Sequence, residues 1–386
     1  MLRNAITVLA GTLLGTAVLT APAQAAVPAP RLVPTPARPG SPDTPGTPGS
    51  PDSPGSPDRP GRPEAPPGFV PRTDPLPAGL RTSLATPARP GGKASGLVIG
   101  GDQGAHRVVV LNARTRAWTA GSAKWSWAPG VANGFGDVVA GWGLPSDVRV
   151  RTARGKRYVL AADSKGFLGA VAYPSGKRLW ATDTGVLSNP HAVELLPNGN
   201  VAAAASTAGW IRVYAASRGP HSDVYAEYRL RGGHGVLWDP RRKVLWALGD
   251  DHLVSLKVGG TAARPTLSER GRVALPSHGG HDLAPVYGNR DRLWVTTNHG
   301  VYHYKKSARS FTTGYRHAGN VDLPIVKAVG DHPGTRQIVL TRPSAGCATT
   351  WCTDTAEFFG GGGRVAVRTL KGAQFYKVRW FAPAYQ

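Results

Sequence analysis

Asn189–Ser206 reads NPHAVELLPNGNVAAAAS, and its pattern returns in Gly232–Asp251 (GGHGVLWDPRRKVLWALGDD) and Gly279–His299 (GGHDLAPVYGNRDRLWVTTNH). Each stretch opens on a histidine, continues into a short apolar run, breaks at a Pro/Gly/Asn/Asp turn and resumes as a second apolar run. The histidines are His191, His234 and His281, 43 and 47 residues apart. A period of this size with several short strands per unit is the signature of a β-propeller, and a residue fixed in each unit then meets its counterparts at one place in the ring.

The repeat extends both ways. PSDVRVRTARGKRYVLAADS brings Ser146 and Asp147 to the histidine position, 45 residues before His191. IVKAVGDHPGTRQIVLTRP brings Lys327 there, 46 residues after His281, and FYKVRW brings Tyr376 and Lys377. The final unit has one strand before the chain reaches Gln386, and SGLVIGGDQGAHRVVVLNARTRAWTAG, at the start of the strand-rich region, has strands to lend it. Five complete units and one shared unit predict an all-β, six-bladed propeller over residues 94–386, closed by pairing of the C-terminal strand with N-terminal ones. That closure removes exposed sheet edges.

In such a ring the first residues of the inner strands meet at the channel mouth. Three neutral imidazoles there, His191, His234 and His281, can hold one divalent transition metal: manganese, zinc, iron or nickel. Lys327 and Lys377 in the neighbouring positions are the candidate catalytic amines, able to steady an anion or take a proton if their pKa values fall. Asp147, Trp142, Asp250, Asn298 and Arg342 are the candidate substrate-binding residues: Asp147 at a strand start, Trp142 as a face for a sugar ring, and the other three in the outer hairpins. Those hairpin residues are also ordinary turn formers. Trp246 and Trp294 occupy matching second-strand places and are expected to pack between blades. The histidines outside the repeat, among them His303 and His332, are expected at the surface or in loops. Nothing calls for a nucleotide cofactor.

Before residue 94 the texture differs. Residues 1–25 carry Arg3, an apolar run and Ala23-Gln24-Ala25, as an export signal does. The apolar run is short for a membrane span, and no second one follows, so the expected product is extracellular, with no span after signal removal. Residues 26–93 have proline at every third position from Pro42 to Pro66. That spacing matches the three-residue turn of polyproline II and suits a spacer across a cell wall. Cys347 and Cys352 are the only cysteines, and in an oxidising compartment they are expected to form a local disulfide.

The formal charge is +23. Residues 1–27 hold one basic residue and residues 28–93 eight basic against five acidic, so of 46 and 23 the remainder keeps 37 and 18, a surplus of 19. A basic folded region favours anionic partners, here an anionic polysaccharide or cell-wall polymer. No Lys/Arg cluster is dense enough for a nucleic-acid motif, and nucleic acid is not an expected partner.

GDQGAHRVVVLN, NPHAVELLPNGN, HGVLWDPRRKVLWALG, GGHDLAPV, LWVTTNHGVYHY and FYKVRW together resemble a family of secreted bacterial β-propellers of unknown function, over residues 96–382. The resemblance implies the propeller and no activity. A more distant likeness is to oligogalacturonate lyases, propellers that hold manganese with three histidines and a glutamine and cleave uronates by β-elimination. Under that likeness His191, His234 and His281 correspond to the histidines. No glutamine stands in register, and Lys327 takes the next blade's position. The expected function is therefore a metal-assisted lyase acting on anionic carbohydrate, with a non-catalytic module binding wall polymers or glycans as the alternative.

Overall fold

In the computed structural model, which describes residues 96–386, six four-stranded antiparallel sheets follow one another along the chain. The expected export signal and proline-rich segment lie outside the described residues. The inner strands are Phe375–Trp380 in blade 1, Pro145–Ala153 in blade 2, Pro190–Leu195 in blade 3, Gly235–Asp239 in blade 4, Asp282–Pro285 in blade 5 and Ala328–Asp331 in blade 6. Each inner strand contacts the next, and the sixth contacts the first, so the sheets form a ring. Blade 1 is the shared one: Val98 pairs with Trp380, Ile99 with Arg379 and Gly100 with Val378. The six-bladed count and the closure are as the repeat predicted.

The core is divided in the same way. Buried apolar side chains form six clusters, one between each pair of adjacent blades. Blades 2 and 3, for example, enclose Leu160, Leu168, Trp180, Val193 and Trp210. Valines and leucines on the alternate positions of the inner strands supply these clusters, because successive strand residues face opposite ways. Trp246 and Trp294 are buried between blades as expected, and their indole N–H groups donate to Asp239 and Asp331. His332 lies in a loop as expected, though buried, whereas His303 is buried within the strand Val301–Lys305. His303 is sandwiched between Trp294 and Tyr315, and burial lowers its pKa to about 3. Cys347 and Cys352 form the expected disulfide, in the loop between Ile338–Thr341 and Thr355–Gly360 of blade 6.

Candidate ligand site at the channel mouth

The six inner strands present Tyr376, Ser146, His191, His234, His281 and Lys327 at equivalent positions. The backbone ahead of several of them is set by residues in the left-handed region: Asn189 (φ 52), Gly232 (φ 62), Gly279 (φ 79) and Ile325 (φ 55), each two residues before its ring side chain. At Gly232 and Gly279 the absence of a side chain is also steric, because a Cβ would stand 1.9 Å from an Asp250 oxygen and 2.1 Å from the Asn298 amide nitrogen. Hence the repeated Gly-Gly-His. Ile325 has no such excuse, since a β-branched residue at positive φ is a strained outlier, and strain of this kind collects at functional sites.

The histidine rings lie side by side. His191 stacks on His234 with centroids 4.5 Å apart and 30° between planes, and His234 meets His281 edge-on at 5.3 Å. Burial, reinforced by the neighbouring cations, lowers all three pKa values, to about 4 for His234 and about 3 for His281. The rings are therefore neutral at pH 7. His234 Nδ1 lies 2.7 Å from the Gly232 carbonyl, which can only accept, so this nitrogen carries the proton. His281 Nε2 is 2.6 Å from the Asn298 amide oxygen and 2.9 Å from Lys327 Nζ. The Asn298 oxygen can only accept, so at 2.6 Å His281 carries its proton on Nε2 and donates to it. Among the described residues the buried Nδ1 atoms of His191 and His281 have no hydrogen-bond partner.

These rings do not fit a three-histidine metal centre as they stand. Two are stacked rather than convergent, and the third shares Nε2 between an amine and an amide. Among the described residues no three His, Cys, Asp or Glu side chains are grouped to hold a metal. No step is therefore derived through a metal.

The two lysines differ. Lys377 is 1% exposed on its side chain and lies in the channel behind the ring. Its Nζ donates to the carbonyls of His191, His234 and His281 at 3.1, 3.4 and 3.1 Å. An ammonium has three protons, and here three successive blades each offer an acceptor. Its protons are thus engaged by the backbone, and burial first lowers its pKa, like that of Lys327, to about 8. Lys327 remains at the mouth, where burial first and Lys377 second lower its pKa to about 8.

Lys327 opens on a cleft of about 460 Å³, which it lines together with His191, Tyr376, Gln103, Lys165 and Trp351. No carboxylate is among the described residues that line it. Trp351, in the disulfide loop, is 42% exposed and donates from Nε1 to Gln103 at 3.2 Å. Gln103 and Lys165 sit in the same outer hairpins of their blades as Asp250 and Asn298 but are not singled out by the sequence as site residues, and Trp351 comes from a loop that carries no repeat signal.

Of the remaining expected residues, Asn298 reaches the ring through His281, and Asp250 stands against Gly232. Asp147 is fully buried and points down the channel, because a β-bulge between Pro145 and Asp147 leaves Ser146 at the mouth. Ser146 donates there to the Pro190 carbonyl at 2.5 Å. Trp142 is 8% exposed, packs edge-on against Trp127 and Phe167 and donates to the His106 carbonyl, so it has no face free for a sugar. Arg342 is exposed and paired with Glu357 at 3.0 Å.

Beneath the ring the channel is ionic. Arg379 bonds Asp147 and Asp282, Lys377 lies 3.6 Å from Asp282, and Arg151 clasps Glu194 through two 2.7 Å bonds. Burial alone would raise the pKa of Asp147, but Arg379, Arg149 and Lys377 reverse this and hold it below its ordinary value. The alternation in Asp147-Val-Arg149-Val-Arg151 and Lys377-Val-Arg379 is the sequence trace of this stack.

A protein of unknown function from Bacteroides caccae superposes with a TM-score of 0.50 at 11% identity, covering 73% of this chain and 97% of that one, which shows the fold alone. A chain of a mitotic checkpoint complex gives a TM-score of 0.43 at 10% identity, over 70% of this chain and 74% of its own, and carries no argument. A search of the curated proteins finds no match. The profile of a family described as "Family of unknown function (DUF6528)" matches residues 95–384. That match takes in well over half of the chain, and the protein belongs to this family.

Proposed function

We propose that the protein is an extracellular binding module whose channel mouth takes a carboxylate-bearing sugar from an anionic polysaccharide or cell-wall polymer. The observation that carries this reading is the cleft itself, with Lys327 and Lys165 on its wall and no carboxylate beside them. A ligand carboxylate meets the ammonium groups, its hydroxyls meet Gln103, and Trp351 offers a face to the sugar ring. The basic surplus of the folded region draws polyanions toward the site. Calorimetric titration with a short oligouronate at low salt tests it. Binding should weaken about tenfold or more in Lys327→Met, in line with the loss of one charge-assisted hydrogen bond. Unchanged affinity in that variant removes the reading.

An enzymatic reading rests on one further feature, the Lys327 amine at about 8 beside the cleft. An amine of that pKa can take the proton α to a uronate carboxylate, as a β-eliminating lyase requires. The uronate lyase expected from the sequence thus survives in a form in which the histidines position Lys327 and no metal step is drawn. Appearance of an unsaturated uronate product by ultraviolet absorbance, lost in Lys327→Met, separates turnover from binding alone.

A further inference from the structure

Halfway down the channel the ion pairs do not balance. Lys377, Arg379, Arg149 and Arg151 face Asp147, Asp282 and Glu194, and six of these seven side chains are buried, with Arg379 11% exposed. Arg151 and Glu194 satisfy each other. Asp147 and Asp282 are left to serve three cations, and Arg379 takes the better share, with bonds to both. Arg149 keeps one 3.3 Å contact to Asp147 through Nε and one 2.8 Å bond from Nη2 to the Leu283 carbonyl. Its Nη1 has no protein acceptor among the described residues.

Beside Arg149 lies a cavity of about 40 Å³, which Arg151, Arg379, Tyr287, Asp331 and Trp380 also line. Its walls come from blades 1, 2, 5 and 6, so it spans the channel, and it shares no residue with the cleft at the mouth. Asp331 is the one carboxylate on its wall, and its oxygens are turned to Trp294, the Tyr287 amide and Arg336. A volume of this size exceeds the roughly 10–15 Å³ a single water needs and is too small for a sugar. A buried guanidinium with unmet donors and less than its share of counter-charge is costly, and a small anion placed against it offsets that cost.

We propose that the channel binds one small monovalent anion of the halide class in this cavity, held by Arg149 Nη1. Burial first, and Arg379 next, disfavour the charge on Arg149, in keeping with a missing counter-ion. The anion completes the ionic stack that ties blades 1, 2, 5 and 6 together, and its role is independent of any ligand at the mouth.

Bromide is the probe for location and chloride for energetics. Crystals of the full chain grown in sodium gluconate and soaked in sodium bromide should show an anomalous peak against the Arg149 guanidinium. In solution, thermal melting at fixed ionic strength should rise saturably as chloride replaces gluconate, by about 5 °C at a hundredfold excess over Kd. Arg149→Met should lose that rise. If this variant does not fold, the wild-type peak and the chloride-against-gluconate comparison decide the matter unaided. Absence of bromide at Arg149, or equal melting in the two salts, overturns the proposal.

Discussion

The channel mouth and the channel interior are built from the same six strands one or two residues apart, yet they treat polar groups in opposite ways. In the interior every carboxylate is paired and one cation is left short: Arg151 and Glu194 form a two-bond pair, Arg379 bridges Asp147 and Asp282, and Arg149 keeps a single 3.3 Å contact to Asp147. At the mouth, His191 and His281 leave buried Nδ1 atoms without partners among the described residues and Ile325 is held at positive φ, while a pKa lowered to about 8 is common to Lys327 and the interior Lys377. Matched buried ions fix a structure. Unmatched ones at an open cleft are groups a ligand can complete. Lys327 and Lys377 make the contrast within one residue type, since the first faces the cleft and the second spends its protons on three carbonyls.

The sharpest way to break this contrast is to remove Glu194. Glu194→Ala leaves the Arg151 guanidinium buried without its carboxylate and should cost about 3–5 kcal/mol in denaturant unfolding. Lys327→Met should change stability by less than about 1 kcal/mol, because it removes a charge that burial already disfavours. A stability loss for Lys327→Met as large as for Glu194→Ala would place the mouth with the structural stack.

Acid should separate the two regions next. His234 has an ordinary pKa of 6.5 and a folded value of about 4, so between these values the unfolded chain binds more protons and stability falls as pH falls. The loss from His234 alone is on the order of 3 kcal/mol, and His281 extends the window to about 3. Asp147 and Asp282, held below the ordinary 3.8, contribute stability that is lost only on further acidification. Unfolding free energies measured from pH 7 to 4 should therefore decline, and His191→Asn/His234→Asn/His281→Asn should flatten the decline. A profile unchanged by those substitutions would show that the mouth does not titrate as described.

Smaller effects follow at the rim. Opening the short Cys347–Cys352 loop with Cys347→Ser/Cys352→Ser should cost about 2 kcal/mol by loop entropy. The same change frees Trp351 from its position and should weaken oligouronate binding without altering the response to chloride. Arg342→Ala removes an exposed pair with Glu357 and should shift stability by no more than about 0.5 kcal/mol, with binding unchanged.

The sequence by itself determined the ring. A histidine or its substitute every 43 to 50 residues, with short apolar runs between turns, specifies six units, and the missing strands of the last unit specify where the ring closes. Periodicity carries that information because each blade must bury the same faces against its neighbours. The sequence also brought His191, His234, His281 and Lys327 to one mouth.

What each of those groups does there was decided by the tertiary structure. A one-residue bulge sends Asp147 into the channel and leaves Ser146 outside, a choice no local pattern encodes. Lys377 is engaged by the backbone because three carbonyls from three blades converge on its ammonium, and Trp142 becomes core because Trp127 and Phe167 close over it. Trp351 enters the cleft from a loop that shares no period with the strands, whereas Gln103 and Lys165 reach it from repeated hairpins, of which Asp250 and Asn298 do not line it. Strand spacing is a local property of the chain. Charge pairing, burial and the lining of a cleft depend on residues 40 to 250 positions apart, and only the closed ring brings them together.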